Sequence, residues 1–294
     1  MLKFGLVTLG CDKNTVDSER YLADLVAYGG EQVTDLREAE VVVVNTCGFI
    51  DAAKAESIEA IVAAARLKED GTCQAVFAIG CMVERHKAEL EEALPEVDVF
   101  LGNSETDRLI PELVERGLLG GSLVEHPGVR LFGGDVPHVR YLKISEGCDH
   151  GCAFCAIPLM RGKHRSFALD ALVKEAQLLE VQGAREVNLV AQDLAHYGRD
   201  RRDGVALPEL LEALVRERRS RGSATCTSTA PVLRPGCSRS LRPIHASCAI
   251  STRPCSMALM RCSRACAAPS VKRRSVNASR SIARLCPTWP CGPR

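Results

Sequence analysis

The last 77 residues of this 294-residue chain contain no Asp and no Glu, although the first 217 hold 37 of them. The same stretch lacks Phe and Tyr and has a single Trp, Trp289. No ten residues in it show a clear helical or strand period, so it does not read as a packed domain. Nor does the chain contain a run of about 18 apolar residues, which excludes a transmembrane helix. Met1-Leu2-Lys3-Phe4-Gly5 lacks the apolar core and small-residue cleavage site of a signal peptide. The expected localisation is therefore cytoplasmic. Aromatic residues are few, at 4%, but 46% apolar and 26% charged residues make an ordinary globular balance. Disordered, collagenous and coiled-coil classes are excluded, and the length fits two domains at roughly 150 residues each.

The net charge of +1 conceals a division. Residues 1–217 combine 37 acidic with 23 basic side chains, a net −14, whereas 218–294 carry 14 Arg and one Lys, a net +15. That second stretch also holds 8 of the 15 Cys, 8 of the 14 Pro and 13 Ser. Arg runs neutralise phosphates, so a basic tail that binds nucleic acid is one reading. Such tails are rich in Lys and Gly rather than Cys, however. An Ala/Arg/Pro/Ser/Cys/Thr mixture is what a GC-rich gene yields when read out of frame, and that reading is preferred. Residues 218–294 are expected to be disordered.

Seven cysteines remain: Cys11, Cys47, Cys73, Cys81, Cys148, Cys152 and Cys155. In a cytosolic chain they point to metal binding or catalysis rather than disulfides. Leu2–Leu9, Val41–Thr46 and Gln74–Ile79 read as buried strands, and helical patterns cover Asp17–Tyr28 and Ala52–Leu67, the latter with Asp51 as N-cap. Fully apolar strands alternating with helices predict a parallel sheet covered on both faces. Cys11, Cys47 and Cys81 each follow the carboxyl end of a strand, 36 and 34 residues apart. Ligands bind at that edge of open α/β sheets, so three thiolates converging there make a three-ligand metal site. The alternative is three small buried residues in tight turns. Cys73 precedes its strand and reads as structural. A short fourth strand, Val97–Leu101, follows. Ser104-Glu105-Thr106-Asp107 then reads as a capping-box variant that opens a helix to about Arg116. The Gly-rich stretch 117–135 reads as a linker.

A new strand, Val139–Ser145, leads into Cys148-x3-Cys152-x2-Cys155. One loop with this spacing can wrap three corners of a cubane iron–sulfur cluster and leave the fourth iron without a protein ligand. Thiolates also suit zinc, but a structural zinc site takes four ligands, and His150 would have to fold back inside its own loop to be the fourth. Phe154, just before the last cysteine, is expected to pack beside the cluster. Lys13, Asn14, Arg161, Lys163 and Arg165 lie close to the triads, where they could bind a carboxylate or be solvated surface charges. His150 and His164 carry no assignment.

The C-x3-C-x2-C loop after a first barrel strand resembles the radical S-adenosylmethionine (SAM) superfamily. The segments Gly10–Glu19, Asn45–Asp51 and Gly80–Arg85, placed ahead of that loop and of Ile157–Lys163, resemble the methylthiotransferase family. Asn45–Lys54 and Val187–Asp193 resemble its RimO branch more than its tRNA-modifying MiaB branch. The implied fold class is α/β: an N-terminal parallel-sheet methylthiotransferase domain (1–120), a linker (121–138), and an incomplete radical SAM (β/α) barrel (139–217), then the basic tail (218–294).

The resemblance implies an auxiliary [4Fe-4S] cluster on Cys11, Cys47 and Cys81, and a second [4Fe-4S] cluster on Cys148, Cys152 and Cys155 that chelates SAM. It implies transfer of a methylthio group to the β-carbon of an aspartate in the small-subunit ribosomal protein numbered twelve. One SAM methylates the sulfur and a second supplies the radical that removes the hydrogen. An electron donor such as a flavodoxin or ferredoxin is the second implied partner. Nucleic acid enters only under the MiaB reading or that of a non-enzymatic metal-binding protein with an RNA-binding tail. The resemblance stops near residue 217. Only two β-α units, Val139–Gly183 and Arg185–Arg218, are recognisable, so the chain is expected to be unstable in its second domain and weakly active or inactive.

Overall fold

A computed structural model describes residues 1–69, 71–120, 130–131 and 138–217, together with the backbone of Ala224–Cys226. The first region is a five-stranded sheet of β1 (Leu2–Thr8), β2 (Gly30–Gln32), β3 (Val41–Thr46), β4 (Ala75–Gly80) and β5 (Val99–Gly102), ordered β2-β1-β3-β4-β5. Every pairing in it is parallel. Four helices cover it: α1 (Asp12–Ala27), α2 (Asp51–Arg66), α3 (Cys81–Ala93) and α4 (Leu109–Glu115).

The run of four valines explains the layering. Side chains alternate across a strand, so Val41 and Val43 meet Leu22 and Leu25 of α1 and Leu109 and Leu113 of α4. Val42 and Val44 meet Ile61 of α2 and Met82, Val83 and Leu90 of α3 on the other face. A strand buried on both faces has no polar side, and both β3 and β4 are buried along their whole length.

The second region starts with β6 (Val139–Lys143) and β7 (Ser145–Glu146). After them come α5 (Ile157–Arg161), β8 (Arg165–Ser166), α6 (Leu169–Val181), β9 (Glu186–Val190) and α7 (Leu207–Glu217). β6 and β9 pair in parallel. Leu142, Val187 and Leu189 pack on Leu172, Ala176 and Leu179 of α6 and on Leu210 and Leu214 of α7, forming this region's core.

Several expectations are corrected. α1 begins at Asp12, not Asp17, because Cys11 takes the N-cap position with extended backbone. Ser104 does not cap α4: its N–H and hydroxyl both donate to Glu84 of α3, at 2.9 Å to Oε2, and a single 3-10 turn, Thr106–Arg108, leads into the helix. Asp51 is the first residue of α2 and its N-cap is Ile50. Neither β2 nor α3 was legible in the sequence. A third strand of the second sheet, β10 (Ala224–Cys226), lies within the stretch expected to hold none and pairs in parallel with β9. Of the linker, 121–129 and 132–137 lie outside the described residues, as do 218–223 and 227–294 of the expected disordered tail. Among the described residues no helix is long and apolar enough to cross a membrane.

Candidate metal centres

The sheet order reverses direction between β1 and β3, and the crevice at that reversal is where open α/β sheets bind ligands. Cys11 and Cys47 follow these two strands, and Cys81 follows β4, the next strand over. All three thiols are free of disulfides; Cys11 is exposed, Cys47 and Cys81 are buried. Gly10 shows how close the loops come. With φ at +92°, it sits where an added Cβ would lie 2.6 Å from Cys47 Cβ. A side chain there would push the Cys11 and Cys47 loops apart.

Amide side chains tie the three strand ends together. Asn14 Nδ2 donates to the carbonyls of Leu9 (2.8 Å) and Thr46 (3.0 Å), while Asn45 Nδ2 donates to the Asn14 carbonyl (3.1 Å). Thr46 Oγ1 donates to the Ile79 carbonyl at 2.7 Å. Ser57 of α2 accepts from the Cys47 N–H (2.9 Å) and donates to its carbonyl (3.0 Å). Each loop is therefore held by its neighbours.

Cys11 and Cys81 stand at the starts of α1 and α3, where the helix dipole favours a thiolate. Burial pushes the Cys47 and Cys81 thiols above their usual range, and at Cys81 the Arg161 guanidinium opposes that push. Two N–H donors aim at the Cys81 sulfur: Arg161 Nε at 3.2 Å and Asn103 Nδ2 at 3.3 Å. A soft sulfur with N–H donors directed at it is the environment of a metal-bound thiolate. The donor set fits an iron–sulfur cluster.

The second triad sits on the loop between β7 and α5. Gly147, with φ at +70°, lies so close to the returning chain that an added Cβ would fall 2.1 Å from the Lys163 carbonyl oxygen. The loop is pinned there by Cys148 N–H to the Gly162 carbonyl (3.1 Å) and His164 N–H to Asp149 Oδ1 (3.0 Å). Cys155 N–H donates to the Cys152 carbonyl at 3.0 Å, turning the two side chains onto one loop. The His150 N–H donates to Cys148 Sγ (3.4 Å), and burial raises that thiol above its usual range. Three free thiols on a braced loop again fit a cluster. Phe154 is 68% exposed, one of the large apolar side chains left open among the described residues.

Arg161 and Asn14, either of which could have been a solvated group, are both buried. Beyond its bond to Cys81, Arg161 NH1 donates to Asp17 Oδ2 at 2.8 Å and to Glu146 Oε2 at 3.2 Å, and NH2 donates to Asn14 Oδ1. Lys143 donates to Asp17 and, at 2.6 Å, to Glu146. Two cations and two carboxylates thus neutralise each other between the regions. Burial alone would raise the Asp17 carboxyl, but Lys143 and Arg161 outweigh it and hold it below the usual carboxylate range. Sequence reasoning missed Asp17, Lys143, Glu146 and Asn103. Nothing in their immediate sequence marks them: Asp17 lies between Val16 and Ser18, and Glu146 between Ser145 and Gly147.

His150, Asp193 and His196 bring ligand atoms within 4.8 Å of one another beside the same loop. His150 Nε2 lies 2.9 Å from Asp193 Oδ2, and burial together with His164 keeps the His196 imidazole below its usual range. This group opens at the carboxyl end of β9, on the side where the second triad lies. Cys73 is buried with its thiol donating to the Ala75 carbonyl (3.5 Å), a structural placement as expected.

Residues 3–102 match the family described as Uncharacterized protein family UPF0004. The chain is 46% identical over 217 residues to a Flavobacterium psychrophilum protein named ribosomal protein uS12 methylthiotransferase RimO, covering 73% of this chain and 48% of that protein. A Chloroherpeton thalassium protein of the same name is 46% identical over 215 residues, covering 72% and 48%. The chain thus spans about half the length of these curated relatives. Among solved structures, the radical S-adenosylmethionine methyltransferase TsrM of Kitasatospora setae, with tryptophan substrate and a SAM analogue bound, superposes with a TM-score of 0.57 at 14% identity, covering 84% of this chain and 58% of that one. The same enzyme with cobalamin and a [4Fe-4S] cluster bound gives 0.55 at 13% identity. At that identity the likeness concerns the fold, and it supports the α/β arrangement read from the sequence.

Proposed function

We propose that the aligned part of this chain is of the RimO-type radical SAM methylthiotransferase family, which its similarity to the curated relatives supports, and that it carries both cluster sites of such an enzyme. The observation that carries the reading is the pair of three-thiol groups, one per region, with Arg161, six residues past Cys155, bonded to Cys81 of the first. Cys148, Cys152 and Cys155 would hold a [4Fe-4S] cluster with an iron open to SAM; Cys11, Cys47 and Cys81 would hold the auxiliary one. When bound, these groups supply one-electron cleavage of SAM and a place for the sulfur to be transferred.

The chain's own residues do the rest. The Asn14, Asn45, Thr46 and Ser57 bonds hold the strand ends that carry Cys11, Cys47 and Cys81, which would lower the ordering cost of binding. The Gly147 turn and the Cys148 and His164 backbone bonds hold the second loop. Each thiol must lose its proton on ligation, so loading releases protons to solvent. No general base is needed for the transfer step, because an aspartate β-carbon hydrogen is removed as an atom rather than as a proton.

The proposed substrate is an aspartate of ribosomal protein uS12, with a low-potential electron carrier as second partner. The family relatives supply the substrate name, and the RimO-like stretches Asn45–Lys54 and Val187–Asp193 favour it over a tRNA adenosine. Since the sequence of 218–294 shows no clear helical or strand period, this chain is proposed to load both clusters yet turn over weakly or not at all. The test is anaerobic incubation of the reconstituted chain with SAM, a reductant and either uS12 or tRNA. Mass spectrometry then looks for a methylthio group on each. Robust transfer to uS12 would support the substrate and contradict the weak turnover; transfer to tRNA alone would replace the substrate.

A further inference from the structure

Resting on that reading, we infer that Arg161 is a positioning residue that sets the reduction potential of the N-terminal cluster and locks it in register with the SAM loop. Arg161 follows the second triad by six positions, yet its Nε donates to Cys81, a ligand in the first. Its side chain is 3% exposed, so water does not compete for these bonds. Asn103 repeats the pattern: its Nδ2 donates to the Cys81 sulfur and, at 2.6 Å, to the Met160 carbonyl next to Arg161. Two consecutive residues of α5 are therefore fastened at the same sulfur.

Hydrogen bonds to ligand sulfurs, net charge and exposure set cluster potentials. An N–H donor stabilises the more negative, reduced state and raises the potential. The positive charge of Arg161 adds little at long range, because Asp17 and Glu146 share it with Lys143. What acts on the cluster is the directed N–H, supported by a fixed fork that only a guanidinium offers. Breaking the fork also removes one of the two ties between the segment after Cys155 and Cys81, leaving only Asn103, so one side chain couples the electronics of one cluster to the placement of the other.

The test uses the full chain with Cys148, Cys152 and Cys155 all replaced by Ala, which leaves a single cluster to titrate. Its potential is measured by electron paramagnetic resonance during redox titration. In that background Arg161→Gln is expected to shift the potential to more negative values, and Arg161→Lys to shift it less. Asn103→Ala, which disturbs no buried charge, is expected to shift it in the same direction by a smaller amount. If Arg161→Gln fails to retain its cluster, Asn103→Ala decides. Iron present with an unshifted potential in Arg161→Gln, or in Asn103→Ala where that variant decides, would overturn the inference and leave the cluster reading standing. No iron at all in the triple-Ala background would remove both.

Discussion

The two regions are both built on parallel strands, but they treat the second face of the sheet differently. In the N-terminal region both faces meet helices, and strands such as Val41–Thr46 and Ala75–Gly80 are apolar nearly throughout. In the second region the strands alternate. Leu142 of β6 and Val187 and Leu189 of β9 face α6 and α7, while Lys143 reaches Asp17 of α1 instead. One sheet is a finished sandwich of layers. The second region is tied to the first by charged pairs: Asp17 of α1 with Lys143 of β6 and Arg161 of α5, and Arg20 of α1 with Glu175 of α6 (3.3 Å), which Arg130 also meets (3.0 Å). The lesson is that the second region gains part of its order from a neighbour and not only from its own core.

That contrast can be broken deliberately. Arg161→Met leaves Asp17 and Glu146 with Lys143 alone in a buried site, and the expected loss is about 3–5 kcal/mol in a denaturant titration, the usual cost of breaking a buried pair from one side. Phe77→Ala empties a fully buried position on β4 and should cost about 3–5 kcal/mol, moving the transition of the N-terminal region. Leu189→Ala should instead cost about 2–5 kcal/mol in the second region and leave the first where it was. A single shared transition that moves equally with both would refute the separation.

Gly147→Ala sharpens the comparison at the site. The left-handed turn and the nearby Lys163 carbonyl leave no room for a methyl group, so iron at the second triad is expected to fall while the first triad keeps its own. pH acts on the metal-free protein in two windows. Cys47 and Cys81 are raised above the ordinary thiol value of 9.0, so the stability they contribute is present below pH 9.0 and is lost as pH rises past it. Asp17 is lowered below 3.8, so its contribution is present above that pH and disappears as pH falls further. Thermal melting across pH should show both edges, and Asp17→Asn should remove the acid one. The smallest effect belongs to Lys54→Ala. It removes an ion pair to Asp51, whose side chain is 98% exposed, and stability should change by less than about 0.5 kcal/mol.

Much of this was legible in the sequence because the signals were of long range in pattern and short range in cause. A strand opened by four consecutive valines and followed by Cys47, and two further strands followed by Cys11 and Cys81, fix a sheet edge without any knowledge of tertiary contacts. The Cys148, Cys152 and Cys155 spacing announces its own loop. What escaped detection depends on the partner. α3 starts at the cysteine itself and has a kink at His86, so its apolar period is weak. Ser104 has a capping sequence, but Glu84 offers it a stronger, charged partner. Arg161 looks like any basic residue after a cysteine loop until Asp17, from a different region, is brought within 2.8 Å. β10 has too few residues to show a period, and becomes a strand only because β9 has an open edge.

The account stands on two cluster sites in one chain, and iron and acid-labile sulfide after anaerobic reconstitution test this most directly. About eight irons per chain, falling to about four when Cys148, Cys152 and Cys155 are replaced by Ala, is the expected result for two cubane clusters. Zinc in place of iron, or the same four irons in both proteins, would contradict it.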